Sequence, residues 1–247
     1  MRLFEFAKTV LCRCVAPWAT HQSISRWPIW MGDLYRIKVP SNVRPNPAPS
    51  AAGAANINII LDLIDEVAGI DGDVAECGVY RGETIVATAL YLQQCGSPRQ
   101  MYGFDSFEGF DDSVEIDLKL GGTADAQKAR RAFADTSYEL IAKKLRLLEL
   151  GERVHLIKGY FRNTLPTAPS IRYAFVHLDC DLYQSYKDCL EYFYDRMAPG
   201  GIILLDEYDD PPWPGCNQAV DEFMAGRPEK LERIERDNHI KRFIRKS

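Results

Sequence analysis

Four carboxylates stand where they can do chemistry together: Asp179 and Asp181 follow the apolar run Tyr173 to Leu178, and Asp206 and Glu207 follow the run Ile202 to Leu205. Two like charges ~4 Å apart repel by about 4 kcal/mol at an effective dielectric near 20, so such a group calls for a cation or a shifted proton. Oxygen-only ligands suit a hard divalent ion, Mg²⁺ ahead of Ca²⁺ or Mn²⁺. Solvated loop acids at strand ends are the plainer alternative. Two acid pairs after two neighbouring strands favour the metal site.

The elements that must position these acids can be read around them. An amphipathic helix, roughly Gln184 to Met197 and closed by Pro199-Gly200-Gly201, joins the two apolar runs. Buried strands joined by a helix form a right-handed crossover in a parallel sheet, which puts both acid pairs on one edge, where open α/β sheets bind ligands. Upstream, Ile57, Ile60, Leu61, Ile64 and Val67 recur with a helical period. A strand, Asp73 to Cys77, then runs into the turn Gly78-Val79-Tyr80-Arg81-Gly82, with a helix beginning near Glu83-Thr84. Glycines there admit unusual backbone angles and close approach, either of a ligand or of neighbouring chain. Glu76 sits on the strand itself, so this is not a pyrophosphate-binding fingerprint; an acid beside such a turn suits a ligand with a positive centre and an amine.

A second strand, Gln100 to Phe104, ends at Asp105, which can accept both ribose hydroxyls of a nucleoside or, with Ser106, cap a helix. A third, Val154 to Ile157, ends at the same rim, where Tyr160 or Phe161 can stack on an adenine or fill core. Between them, Asp111 to Ala124 reads as a mobile loop flanking a cleft, and the helix Ser137 to Leu150 turns Lys143, Lys144 and Arg146 toward solvent. His177, on a strand, reads as a satisfied core residue. After a Pro-rich loop and a helix from about Cys216 to Ala225, the runs Leu231 to Arg236 and Ile240 to Arg245 form a hairpin around Asp237-Asn238-His239. The pattern predicts seven strands with the last antiparallel.

With 247 residues, 46% of them hydrophobic, the chain can bury one large core. Residues 56–247 form that domain, and residues 1–55, with Trp18, Trp27 and Trp30 and a Pro- and Ala-rich stretch, form an arm or lid with a linker. The arm is expected to make a homo-oligomer contact. A net charge of −5 without a long Lys/Arg run argues against nucleic acid. Seven scattered cysteines favour reduced thiols in a cytoplasmic protein. Charges at Glu5, Lys8 and Arg13 interrupt the apolar start, which is expected neither to span a membrane nor to act as a secretion signal.

Five segments, AECGVYRGET at 75–84, YGFDSFEGF at 102–110, KGYFRNTLP at 158–166, VHLDCDLYQS at 176–185 and PGGIILLDEYDDP at 199–211, together make the chain resemble the macrocin O-methyltransferase family of class I S-adenosylmethionine-dependent methyltransferases. The resemblance covers about residues 56–247. It implies a Rossmann-like seven-stranded, mostly parallel sheet in the order 3-2-1-4-5-7-6 and a metal-dependent enzyme that methylates sugar hydroxyls in antibiotic biosynthesis. It also implies that Glu76, Gly78 and Gly82 border the methionine part of the donor and that Asp105, Ser106 and Phe107 hold the ribose and adjoining adenine; Thr84, Tyr160 and Asp179 are expected to join the donor-binding residues. Asp179, Asp206 and Glu207 match the Mg²⁺-ligand positions, and Asp181 matches the general base. Glu207 departs from the family's commoner aspartate, so its longer side chain could coordinate in another mode or through water.

The implied reaction is in-line methyl transfer to a sugar hydroxyl of a glycosylated natural product or glycan, with Lys158 and His177 as reserve bases. Two other readings compete. Asp179-Cys180-Asp181 is also an Asp-x-Asp motif of the kind that holds a metal and nucleotide sugar in glycosyltransferases, and a non-catalytic binding protein could keep this fold.

Overall fold

A computed structural model describes residues 51–110, 133–236 and 238–247. Most of the expected arm, its tryptophans and the loop at 111–124 lie outside these residues.

Helix α1 (Ala51–Glu66) leads into β1 (Asp73–Cys77), α2 (Glu83–Gln94), β2 (Met101–Asp105), α3 (Tyr138–Leu147) and β3 (Val154–Lys158). A short helix α4 (Phe161–Thr164) precedes β4 (Tyr173–Leu178), α5 (Tyr183–Tyr194), β5 (Met197–Leu205), α6 (Pro214–Met224) and the hairpin β6 (Leu231–Arg236) and β7 (His239–Arg245). The seven strands lie in the order 3-2-1-4-5-7-6, with β7 antiparallel to β5 and to β6. This is the class I methyltransferase topology that the resemblance implied.

Side chains alternate across the sheet, so each buried strand feeds two cores. Val74, Met101, Phe175 and Ile202 face one core with Ile60, Leu63, Ile85 and Ile141 of α1, α2 and α3. Ala75, Phe104, Val176 and Ile203 face the other with Tyr186, Phe193, Ala219 and Val220 of α5 and α6. All six residues of β4 are buried, which makes it the rigid centre from which the acids project.

Two boundaries differ most from the sequence reading, the others shifting by no more than three residues. Helix α1 begins at Ala51, inside the stretch assigned to the linker. Strand β5 begins at Met197 rather than Ile202, so Pro199-Gly200-Gly201 interrupts a strand instead of ending a helix. The register explains this: Tyr173 pairs with Met197 and Phe175 with Ile202, so the extra residues loop out between two stretches of ladder.

Gly103 marks where β2 and α2 meet closest. A Cβ there would fall 2.4 Å from Ile85 Cδ1 and 2.9 Å from Val79 Cγ2. Gly103→Ala is expected to cost about 1–3 kcal/mol by overpacking, read as a lower urea midpoint at unchanged m-value.

Candidate active site

Each parallel strand that carries a candidate residue ends in a sharp turn. The first non-glycine residue with positive φ after β1 is Tyr80 (φ 46°), after β2 Phe107 (56°), after β4 Asp181 (59°) and after β5 Asp209 (72°). Such conformations cost of order 1 kcal/mol each and persist where surrounding structure holds them, a pattern common at functional sites. They turn the chain back over the strand ends and enclose a cleft of about 310 Å³. Gly78, Asp105, Ser106, Tyr160, Asp179 and Asp181 line it. Glu76, Gly82, Thr84, Phe107, Asp206 and Glu207 are not part of that lining.

Asp179, Asp206 and Glu207 each offer one carboxylate oxygen, and the three atoms lie within 4.8 Å of one another. Glu207 is 3% exposed; its Oε2 accepts the Tyr186 hydroxyl at 2.6 Å and the Asp181 backbone N–H at 3.3 Å. Burial, then repulsion from Asp206, pushes the Asp179 carboxyl up to about 7. Burial, then the charges of Asp179 and its neighbours, raises Asp181 and Glu207 well above the usual carboxylate range. Asp206 goes the other way. Burial alone would raise it, but the His177 hydrogen bond and the Lys241 ammonium hold it well below the usual range.

His177 and Lys241 therefore belong to the site, and the reading of His177 as a satisfied core residue is incomplete. His177 Nε2 lies 3.3 Å from Asp206 Oδ1, and its Nδ1 is 4.0 Å from Glu76 Oε2 without a hydrogen bond. Burial opposes its charged form, yet the bond to Asp206 and the nearness of Glu76 push the imidazole up to about 10. Lys241 Nζ reaches Asp206 Oδ1 at 3.0 Å and donates to its backbone carbonyl at 2.6 Å. His177 thus stands between Glu76, on β1 beneath the glycine turn, and an acid of the candidate metal centre. The Val-His-Leu-Asp run carried a signal for His177; nothing in the hairpin's sequence singles out Lys241.

On the other side of the cleft, Asp105 accepts the backbone N–H of Tyr80 (2.7 Å) and of Phe107 (2.6 Å). One bond to each oxygen leaves acceptor capacity toward the cleft. Ser106 Oγ donates to the Gly109 carbonyl. Phe107 turns its ring into the core against Tyr138, so its backbone and not its ring forms this rim. Thr84 donates to Glu76 at 2.7 Å. Gly78 (φ 95°) is required by neighbouring chain: a Cβ there would fall 1.6 Å from the Asp179 carbonyl. Gly82 caps α2 and packs on Ile141. Lys158 pairs with Glu108 at 3.1 Å on the exposed rim.

Lys144 corrects the solvated-face reading of α3. It is 7% exposed and donates from Nζ to the Arg81 carbonyl at 2.7 Å, bracing the glycine turn from below. Burial lowers its pKa from 10.5 to about 8. Between those values the unfolded chain keeps a proton that the folded chain has released, so this residue makes stability rise with pH. From pH 8 to 10.5, the unaltered protein is expected to gain stability relative to Lys144→Met, measured as the difference between their urea midpoints at each pH.

Comparison with known proteins bears on what this edge does. A macrocin-O-methyltransferase (TylF) family model matches residues 35–240. Demethyldecarbamoylnovobiocin O-methyltransferase of Streptomyces niveus is 32% identical over 197 residues, covering 77% of this chain and 74% of that protein. Mycinamicin III 3''-O-methyltransferase of Micromonospora griseorubida is 29% identical over 184 residues, covering 72% and 71%. Among solved structures, the O-methyltransferase NovP superposes with a TM-score of 0.66 at 28% identity, covering 84% of this chain and 86% of that one. The calicheamicin methyltransferase CalS11 gives 0.69 at 22% identity over 98% and 92%, a likeness of fold.

Proposed function

The chain belongs to the macrocin-O-methyltransferase family, an S-adenosylmethionine-dependent O-methyltransferase family, and from that premise we propose that it methylates a sugar hydroxyl of a glycosylated natural product with the help of a divalent cation, Mg²⁺ first. The observation that carries this reading is the convergence of Asp179, Asp206 and Glu207 at the edge that also bears the Glu76 to Gly82 turn. Membership of this family displaces the glycosyltransferase reading of Asp179-Cys180-Asp181.

The residues present fit both groups. Three buried or half-buried carboxylates, two of them with raised pKa, make a hard-oxygen set whose mutual repulsion a divalent ion relieves. Asp105, open to the cleft, and Glu76, beneath the turn, suit the ribose and the cationic end of the donor. When bound, S-adenosylmethionine supplies the methyl group as a sulfonium, and the cation supplies Lewis acidity near the acceptor oxygen.

The chain's own part is orientation and proton removal. An alcohol holds its proton far above neutral pH, so a positioned base must take it. Asp181 lines the cleft, and its backbone N–H donates to Glu207, which ties the turn after β4 to that acid. Burial and like charges raise its proton affinity above that of an exposed aspartate, and a cation held by the neighbouring acids would offset that repulsion and favour the ionised form that can take a proton. His177 and Lys241 hold Asp206 ionised and in place.

Differential scanning fluorimetry tests the donor half: S-adenosylhomocysteine should raise the melting temperature and UDP-sugars should not. Label transferred from methyl-labelled donor to glycosides, and not to their aglycones, tests the acceptor half. An expected homo-oligomer contact through residues 1–55 remains a proposal, tested by light scattering of the full chain against a chain lacking residues 1–50. Among the described residues no helix is long and apolar enough to cross a membrane.

A further inference from the structure

Acids and aromatic rings both line the cleft. Asp105, Asp179, Asp181 and Asp188 are among its lining residues, and Arg162 is the one basic residue among those described. A row of aromatic rings in edge contact borders the same space. Tyr80 meets Phe133 with centroids 5.1 Å apart, Phe133 meets Phe110 at 5.5 Å, and Phe110 meets Trp213 at 5.8 Å. The first three line the cleft; Trp213, at the start of α6, backs Phe110 from the loop that follows Asp206 and Glu207.

The row is held in place. The Tyr80 hydroxyl donates to Asp135 at 2.7 Å, Arg81 pairs with the same carboxylate, and Thr136 donates to the Tyr80 carbonyl at 2.8 Å. Phe133 is still 39% exposed, although hydrophobic rings of this size are ordinarily covered. Nothing in donor binding or proton removal, as described above, uses Phe110 or Trp213.

We propose that Phe110, backed by Trp213 and flanked by Phe133, determines acceptor specificity by stacking on an apolar ring of the aglycone next to the methylated sugar. The acceptor is then a finished neutral glycoside and not a nucleoside-diphosphate sugar. The reason is geometric and electrostatic. An acceptor whose hydroxyl reaches Asp181 shares the cleft with Phe110 and Phe133, which line it as well. Flat rings there contribute offset or edge contacts beyond simple area burial. A diphosphate against these rings would be taken out of water beside apolar surface, with Arg162 the one basic residue among the described lining. This inference rests on the sugar O-methyltransferase reading and narrows its substrate class.

The test uses the full-length protein with Mg²⁺ and S-adenosylmethionine, and a panel of hexoses each offered as methyl glycoside, 4-nitrophenyl glycoside and nucleoside-diphosphate sugar. The expected order of kcat/KM is aryl above methyl above nucleotide form. Trp213→Ala and Phe110→Leu should raise KM for the aryl form roughly three- to tenfold with kcat nearly held. Both variants should bind S-adenosylhomocysteine within about twofold of the unaltered protein, since uniform acceptor binding is what is lost. Trp213→Phe, which keeps a ring, should recover most of the aryl preference, a result that misfolding cannot produce. Equal use of methyl and aryl forms, preference for the nucleotide form, or variants that lose kcat for all forms alike would overturn the inference. Should no panel member be methylated, titration of 4-nitrophenyl glycosides into protein loaded with S-adenosylhomocysteine separates the two claims. Aryl binding lost in Trp213→Ala keeps the wall and counts against sugar methylation; no aryl binding overturns the wall.

Discussion

Asp181→Asn is expected to lower methyl transfer by about 10²–10⁴-fold while S-adenosylhomocysteine binds almost as tightly as before. The substitution keeps the size of the side chain and leaves the backbone N–H that Asp181 donates to Glu207, so the turn after β4 should survive. What it removes is the group that can take a proton. Asp105, Glu76 and the glycine turn, to which the proposal assigns the donor, are untouched. A variant that keeps full turnover would show that another group deprotonates the acceptor; a variant that loses both turnover and donor product would show that Asp181 supports the cleft itself.

The second large effect distinguishes two acids that look equivalent in sequence. Asp179→Asn is expected to stabilise the cation-free protein and abolish its response to Mg²⁺, whereas Asp206→Asn should destabilise it. The sign follows from the pKa values. Asp179 titrates near 3.8 when unfolded and is pushed up to about 7 when folded. Between those values the folded chain holds the proton that the unfolded chain has lost, so stability falls as pH rises through this window. At neutral pH the ionised side chain is therefore a cost, and asparagine removes it. Asp206 has the reverse shift, because His177 and Lys241 pair with it. Its amide would leave buried cations facing a neutral group, a change worth about 3–5 kcal/mol. Melting temperatures of the three proteins with EDTA and with Mg²⁺ check this. The unaltered protein should gain with Mg²⁺, Asp179→Asn should start higher and gain nothing, and Asp206→Asn should start lower.

Much of this is legible in the sequence. Period-two and buried apolar runs gave the strands, and the acids after Leu178 and Leu205 marked two strand ends that a parallel crossover must place side by side. The closing hairpin was visible because its two short runs flank Asn238, which takes a positive φ of 62°. What was not legible depends on distance across the sheet. Lys241 lies on the last strand and meets Asp206 only because β7 inserts next to β5. Lys144 follows Lys143 and precedes Arg146, so composition alone makes a solvated face; its inward direction is set by how α3 crosses the glycine turn. Gly78 reads as making room for a ligand or for neighbouring chain, and the nearest atom is the Asp179 carbonyl, so the second role is the one seen: it lets β1 and β4 end side by side. Pro199-Gly200-Gly201 has the composition of a stop signal, yet strand pairing holds on both sides of it.

The central claim is that the strand ends hold a divalent cation beside the donor. It is tested most directly by a crystal grown with Mn²⁺ and S-adenosylhomocysteine and measured at the manganese absorption edge. The account predicts one anomalous peak among the carboxylates of Asp179, Asp206 and Glu207, with the donor product in the cleft between Asp105 and the glycine turn. A bound donor product with no peak at those three side chains, at saturating Mn²⁺, would contradict it.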